Sequence, residues 1–217
     1  MSSNKVMKDD NDLASVNPIL AKEWHSTKNG KIKPIEVSSG SSKKIWWLGT
    51  CGHEWQASVH HRNKNKSGCP FCSGNKVLKG FNDLATTNPK LVQEWHPNKN
   101  ENITPNSITS GSSKKVWWKC ELGHEWEATI SHRNKGSKCP VCANQKILKG
   151  FNDLGTTNPE LAKEWNPTKN KNLTAEMITH KSGKKVWWQC SDNHEWQATV
   201  SDRTRGEDVR FARIEKS

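Results

Sequence analysis

Apolar residues are sparse in this chain, and they recur at spacings typical of short helices and strands. Leu91 and Trp95 lie four residues apart after the pair Asn88-Pro89, a spacing that places both side chains on one side of a helix. Asn caps the exposed N–H groups of a first helical turn and Pro fits its first position, so a helix is expected to begin here. Pro97 should end it, because proline blocks continuation.

Two stretches typical of β-strands follow the helix, and in the second of them apolar and polar residues alternate. The stretches KKVWW (114–118) and HEWEATI (124–130) are both typical of strands, and in the second Trp126, Ala128 and Ile130 share one face. A cysteine and a histidine lie between the two stretches. The pattern therefore predicts a β-hairpin whose turn carries half of a metal site.

The helix-and-hairpin pattern occurs three times. The segments DLASVNPILAKEW, DLATTNPKLVQEW and DLGTTNPELAKEW begin at Asp12, Asp83 and Asp153, and a KKxWW and an HEW motif follow each of them. Self-similarity at a fixed period indicates tandem repeats. We divide the chain into a partial leader that matches the inter-repeat segment (1–11), repeat 1 (12–74), repeat 2 (75–145) and repeat 3 (146–217).

The composition indicates that each repeat needs a disulfide bond or a bound metal to be stable. Only 31% of the 217 residues are hydrophobic, while twelve are tryptophan, so each repeat can build only a small core around a few large rings. The N-terminus lacks a secretory signal and no apolar run is long enough for a membrane helix. A reducing cytoplasm is therefore expected, where clustered cysteines hold metal more often than they form disulfides.

Two sets of cysteine and histidine have spacings suited to zinc. Each joins a pair in the hairpin turn to a downstream C-P-x-C pair, which is the usual zinc half-site. In repeat 1 the turn cysteine has moved: Gly49 stands where repeat 2 has Cys120, and Cys51 stands where it has Leu122. Four ligands close the shell, so no catalytic position is expected. The predicted ligands are Cys51, His53, Cys69 and Cys72 in repeat 1, and Cys120, His124, Cys139 and Cys142 in repeat 2.

Repeat 3 lacks the second half of this pattern. Val209 and Ala212 replace the two cysteines, which leaves Cys190 and His194 as a vestigial metal pair. Three outcomes are open: the tail packs through Val209 and Phe211 as a metal-free cap, another chain completes the site, or the repeat is partly disordered. We favour the cap, because the end repeat of an array is often atypical. Two Zn²⁺ per chain are expected.

The combination of KKVWWKCELGHEW (114–126) with CPVC (139–142) resembles the zinc-ribbon, or treble-clef zinc finger, tandem repeat family. Its members occur in bacterial and phage proteins, some next to endonucleases similar to the very-short-patch repair type. The resemblance extends from about Asp12 to Arg205. It implies small α+β zinc-stabilised repeats, each a short helix plus a β-hairpin with treble-clef or zinc-ribbon-like knuckles, the last incomplete. It also implies zinc at the ligands named above, and nucleic-acid binding is the function usually inferred.

One tryptophan of each hairpin has two interpretations. Trp117 shares its strand face with Lys115 and Lys119, an arrangement that suits base stacking with phosphate contact. Alternatively, the ring packs beneath the helix and its lysines pair with glutamates across the hairpin. Packing is favoured, because very small domains need every large ring for burial.

Basic residues after the second strand are the stronger phosphate candidates. The net charge of +12 favours an anionic partner, and repetition would align these loops along a backbone. The function expected is non-enzymatic nucleic-acid binding, with DNA preferred over RNA. The alternative is a protein-interaction adaptor, such as a phage or bacterial regulator or inhibitor. The predicted phosphate contacts are Arg62, Lys64 and Lys66 in repeat 1, Arg133, Lys135 and Lys138 in repeat 2, and Arg203 and Arg205 in repeat 3.

Overall fold

The computed structural model describes residues 6–206, and within them each repeat has the same order of elements. Two one-turn helices and a 3-10 turn lead into two strands and a third short helix. Repeat 1 contains α1 (Leu13–Val16), α2 (Pro18–Ala21), a 3-10 turn (Pro34–Glu36), β1 (Lys44–Leu48), β2 (Glu54–Ser58) and α3 (Val59–Asn63). Repeat 2 contains α4 (Leu84–Thr87), α5 (Pro89–Val92), a 3-10 turn (Pro105–Ser107), β3 (Lys115–Lys119), β4 (Glu125–Thr129) and α6 (Ile130–Asn134). Repeat 3 contains α7 (Leu154–Thr157), α8 (Pro159–Ala162), a 3-10 turn (Ala175–Met177), β5 (Lys185–Gln189), β6 (Glu195–Thr199) and α9 (Val200–Thr204).

The predicted hairpins are confirmed. Strands β1 and β2, β3 and β4, and β5 and β6 each form a two-stranded sheet. In the first and third sheets the pairing is antiparallel, with Trp47 opposite Trp55 and Trp188 opposite Trp196. These two hairpins therefore each set one large ring directly across from another, and such cross-strand pairs stabilise small sheets.

The helix after each Asn-Pro begins where the sequence predicts but ends earlier. Asn88 accepts a hydrogen bond from the N–H of Leu91, and Pro89 occupies the first helical position. The predicted end near Pro97 is wrong, because α5 ends at Val92. Repeat 1 shows the reason: the N–H of His25 donates to Trp46 and the N–H of Leu48 to Glu23, so the chain leaves the helix to pair along β1.

A second helix precedes this one and was not predicted. Asp83 caps α4, accepting hydrogen bonds from the N–H and the hydroxyl of Thr86 and from the N–H of Gly80. The Thr86 hydroxyl, above all, lowers the pKa of this carboxyl. Asp12 and Asp153 cap α1 and α7 in the same way. The signal was present in the sequence, since Asp is one of the preferred residues at the start of a helix and it recurs at this position in all three repeats.

The core of repeat 1 forms around Trp47, which is fully buried. Its indole N–H donates to the carbonyl of Ala57, and its ring meets Trp24 edge to face at 5.7 Å between centroids. Trp24 in turn donates its indole N–H to the carbonyl of Ile32. Repeat 3 has the same arrangement around Trp188 and Trp165, at 5.6 Å. Both indole donors of each pair are thus satisfied, as burial of tryptophan requires.

An arginine predicted to contact phosphate is instead part of this core. Arg62 is buried, lies 5.2 Å from the Trp47 ring and 5.0 Å from the Trp55 ring, and pairs with Glu23. It also donates to the carbonyl of Ser67. Because its guanidinium is desolvated and already paired, the expectation that it lies on an exposed cationic loop is wrong.

The same correction applies to the equivalent arginines of the other repeats. Arg133 is buried and pairs with Glu94 at 2.6 Å. Arg203 pairs with Glu164 and lies 5.2 Å from the Trp196 ring, with its side chain 9% exposed. A buried guanidinium needs a carboxylate partner to offset its lost hydration. These arginines therefore stabilise the repeats and are not surface contacts.

The chain divides into two compact units. One contains repeat 1 and repeat 2 as far as Val116, together with Thr129–Asn134; the other contains Trp117–Ala128 and, among the described residues, 135–206. Among residues 6–206, no helix is both long and apolar enough to cross a membrane. The predicted cap formed by Val209 and Phe211 lies outside the described residues.

Replacing Arg62 with Met should lower the free energy of unfolding by about 3 kcal/mol, because Glu23 would lose its partner while remaining three-quarters buried. Urea denaturation of the zinc-loaded protein measures this. The matched control is Lys64→Met on the exposed loop, which should change stability by less than about 0.5 kcal/mol. Equal effects of the two substitutions would contradict a core role for Arg62.

Candidate metal centres

The hairpin turn has one backbone geometry in all three repeats. The N–H of the first turn residue donates to the carbonyl of the turn histidine, at 3.0 Å from Gly49 to His53, and at 3.1 Å in each of the other two repeats. The fourth turn residue has a left-handed backbone, with φ of +78° at Gly52, +81° at Gly123 and +61° at Asn193. Glycine and asparagine are the residues that tolerate this conformation.

The C-P-x-C segment forms the opposing half of the cage. In repeat 2 the N–H of Ala143 donates to the carbonyl of Cys139, and the N–H of Lys146 donates to the carbonyl of Pro140. Equivalent bonds reach Cys69 and Pro70 in repeat 1. This tight turn directs both sulfurs of each pair toward the same point, as zinc knuckles require.

The four predicted ligands of repeat 2 are brought together. His124 Nδ1 lies 3.5 Å from the sulfur of Cys120, 3.7 Å from that of Cys139 and 3.3 Å from that of Cys142. The sulfurs of Cys120 and Cys142 are 3.9 Å apart. A tetrahedral zinc site with bonds of about 2.3 Å to sulfur and about 2.0 Å to nitrogen has edges of about 3.5 to 3.8 Å. The spacing is that of a metal cage.

Repeat 1 has an equivalent cage. His53 Nδ1 lies 3.5 Å from the sulfur of Cys69 and 3.4 Å from that of Cys72. The ligand atoms of these residues and of Cys51 all lie within 4.8 Å of one another. The C-x-H turn of repeat 1 and the C-x3-H turn of repeat 2 therefore deliver their ligands to the same kind of site.

One thiol of each cage has a raised pKa. The Cys51 sulfur, together with burial and the Cys69 sulfur, raises the pKa of Cys72 to about 11. Burial, followed by the thiols of Cys139 and Cys120, raises the pKa of Cys142 to about 12. Packing several thiolates this closely is unfavourable without a cation between them. A divalent metal would remove this repulsion by displacing the protons, which fits the donor set.

The shifted cysteine of repeat 1 has a steric explanation. A Cβ atom added at Gly49 would lie 3.1 Å from the Cys51 sulfur and 2.9 Å from the Trp55 ring. Side chains at the first and third turn positions therefore converge on the same space. Glycine at position 49 leaves that space to the thiol of Cys51, so repeat 1 supplies its turn ligand from the third position, where repeat 2 uses the first.

A phenylalanine and an asparagine buttress each cage, and sequence reasoning missed both. The Phe81 ring lies 4.3 Å from the His53 ring and Phe151 lies 4.4 Å from His124, both edge to face. Asn82 donates to the carbonyl of Phe71 between the two knuckle cysteines, and to that of Lys76. The recurrent motif GFND after each C-P-x-C was the available signal. This segment orients the histidine as outer-shell groups do in metal sites.

The predicted phosphate contacts fall into two groups. The loop before each C-P-x-C presents exposed lysines: Lys64, Lys66, Lys135 and Lys138. Lys115 and Lys119 are exposed on β3, and Lys119 lies 3.8 Å from Glu125. Arg205 is exposed and pairs with Asp202 at 2.6 Å. The arginines Arg62, Arg133 and Arg203 are in the interior, as described above.

The strand tryptophans considered for base stacking are half-buried. Lys28 lies 4.7 Å from the ring of Trp46 and Lys169 lies 4.2 Å from that of Trp187, each lysine also pairing with a glutamate of the neighbouring strand. Trp117 of repeat 2 is half-buried in the same way. Because lysines form cation–π contacts with two of these rings, the packing interpretation is favoured over base stacking.

The hairpin, its knuckle and two Cys₃His cages define a class of small metal-binding repeats with treble-clef character. Comparison with protein families agrees. A family model described as "Probable Treble clef zinc finger domain" matches residues 20–75, 91–145 and 161–208, more than half of the chain. The chain therefore belongs to this family, in three repeats, and the resemblance noted in the sequence is confirmed.

A more distant similarity links the chain to a phage protein. A protein of Escherichia phage T5 named "Putative endonuclease" is 25% identical over 99 residues, which is 46% of this chain. The chain spans only 31% of the length of that relative.

Moving the turn cysteine back should preserve the metal site of repeat 1. Cys51→Leu alone should turn one tightly bound zinc into a weakly bound one that the chelator removes, because it leaves two cysteines and a histidine. Adding Gly49→Cys should restore it, since position 49 reaches the same space and repeat 2 uses this arrangement, with a small shift of Trp55. Zinc per chain after dialysis against a weak chelator measures both. A double variant as zinc-poor as Cys51→Leu would contradict the equivalence.

Proposed function

We propose that this chain is a non-catalytic nucleic-acid-binding protein, with two structural Zn²⁺ and with DNA as the preferred partner. The observation that carries the proposal is the lysine loop before each C-P-x-C knuckle. Lys64 and Lys66 lie between α3 and Cys69, and Lys135 and Lys138 lie between α6 and Cys139. Each loop is exposed and is attached at its end to a metal cage, so its charges are presented from a fixed base.

The buried Arg62 supports the lysine loop of repeat 1. One terminal nitrogen of the Arg62 guanidinium donates to the carbonyl of Ser67, which lies within the lysine loop. The other terminal nitrogen pairs with Glu23. The arginine therefore holds the loop against the core, and the lysines beside it remain available to an anion. Since lysines act on phosphate as point charges, such loops would supply affinity without reading sequence.

The charge of the whole chain supports the same partner. A net charge of +12 attracts polyanions over long range and favours non-specific binding to nucleic acid. The named relative from phage T5 belongs by name to an enzyme class that acts on nucleic acid. Both observations support a phosphate-driven interaction.

The candidate acidic residues and metal ligands already have structural roles, which supports a non-catalytic function. In the two Cys₃His cages all four tetrahedral positions are supplied by protein atoms. Asp83 and Asp153 cap helices, and Glu54 pairs with Lys28 and His25. Catalysis needs a constellation of groups aimed at a substrate, and these groups are already engaged in holding the repeats together.

Reversing the loop charges should weaken DNA binding. The double variant Lys135→Glu, Lys138→Glu should bind a labelled duplex at least about tenfold more weakly near 50 mM salt. It should also flatten the slope of log affinity against log salt by about 2, one for each lost phosphate contact. Fluorescence anisotropy across a salt series measures both quantities.

The matched control carries the same charge change elsewhere. Lys22→Glu, Lys90→Glu alters two exposed lysines near the ends of α2 and α5, and it should reduce affinity much less. Equal losses in the two variants would show attraction by net charge alone. Wild-type protein with no measurable duplex binding at low salt, but with a protein complex stable in high salt, would favour the adaptor alternative.

A further inference from the structure

The turn of repeat 3 carries potential ligands at both of the positions that the other repeats use singly. Repeat 1 places its ligand at the third turn residue, Cys51, and repeat 2 at the first, Cys120. Repeat 3 has Cys190 at the first position and Asp192 at the third, followed by His194. Asn193 has the same left-handed backbone as Gly52 and Gly123 at the equivalent position, so the turn has the shared geometry.

These three side chains meet in space. Their ligand atoms all lie within 4.8 Å of one another, as they do in the two complete cages. The backbone bonds of the turn, from the N–H of Cys190 to His194 and from the N–H of Asn193 to Cys190, are both 3.1 Å. The convergence is expected from repeat 1, where a Cβ at the first position would lie 3.1 Å from the side chain of the third.

We infer that Cys190, Asp192 and His194 form a third metal site, which takes Zn²⁺ through one thiolate, one carboxylate and one imidazole. Zinc accepts all three ligand types. The site needs no C-P-x-C half, because a single five-residue turn supplies every ligand. Cys190 and His194 are therefore more than the remnant of a lost site, and Asp192 takes the place of a missing cysteine.

This site differs in kind from the two cages. With three protein ligands, a tetrahedral zinc keeps one position for water or another exchangeable ligand. The ion would also be neutralised by one thiolate and one carboxylate, whereas three thiolates give each cage a net negative charge. Asp192 and His194 are exposed, so solvent reaches the ion. The third zinc should bind more weakly than the first two and exchange faster, with an open position suited to an anionic oxygen.

Metal titration of the whole chain tests this inference independently of nucleic-acid binding. Metal-free protein is titrated with Co²⁺ under reducing conditions, and thiolate-to-cobalt charge-transfer absorption is followed. Three equivalents should bind, two tightly and a third at least about tenfold more weakly, the third adding the smaller absorption of one thiolate. Loss of an outer-shell partner already lowers metal affinity by about 10- to 100-fold, so loss of a direct ligand should lower it by at least about tenfold.

Three variants separate the third site from the cages. Asp192→Ala should weaken the third equivalent at least about tenfold, and Cys190→Ala should abolish its charge-transfer band, while both leave the two tight equivalents intact. Leu122→Ala is the matched control, because Leu122 holds the position of Asp192 in repeat 2, is 64% exposed and ligates nothing. It should leave all three equivalents unchanged.

Two results would overturn the inference. One is a wild-type chain that binds only two equivalents of Co²⁺. The other is an Asp192→Ala variant whose third equivalent binds as in the wild type, which would place that ion on other groups. Retention of both tight equivalents shows that repeats 1 and 2 stay folded, and an unchanged near-ultraviolet dichroism of the buried Trp188 checks repeat 3. A third equivalent lost with that signal intact cannot be attributed to unfolding.

Discussion

The first two repeats depend on one constraint: four ligands from two distant turns must share a single cation. A segment of about 70 residues with so few apolar side chains buries too little surface to fix its own loops. The cage supplies what the core lacks, because His124 and its three cysteines lie at tetrahedral spacing. Without a cation the thiolate form is unfavourable here, since burial, followed by the thiols of Cys139 and Cys120, raises the pKa of Cys142 to about 12. Metal binding and folding of the knuckle are therefore one event.

The rest of the repeat is arranged around that cage. Trp47 anchors the hairpin to the helices, and Arg62 spans from the Trp rings to Ser67 in the segment that leads to the second knuckle. On the far side of the cage Phe81 packs against the ligand His53, while Asn82 binds the knuckle backbone. The cage of repeat 1 thus contacts both the core of its own repeat and the segment that begins the next one, so a metal held there would stabilise both.

The sequence predicted what local spacing determines. The ligand sets, the hairpins and the helix starts at Asn-Pro all follow from patterns a few residues long. It did not predict that Arg62 is buried, because the cause is Glu23, 39 residues away in the chain. Nor did it predict that α2 ends at Ala21, because Trp24 leaves the helix to form a bridge with Trp47. Both failures arise where a tertiary partner outweighs local preference.

The ligand-bearing residue differs in its turn position between repeats, which shows how such an array can vary its metal sites. The turn backbone is the same in the three repeats, yet the ligand comes from Cys51 in one and Cys120 in another. A turn that accepts a ligand at either position can also carry both, and then it no longer requires a second knuckle to approach a complete shell. Repeat 3 is the case in which this happens, with Cys190 and Asp192 beside His194. The same fold can therefore hold a closed structural ion or an accessible one, depending on two residues of a single turn.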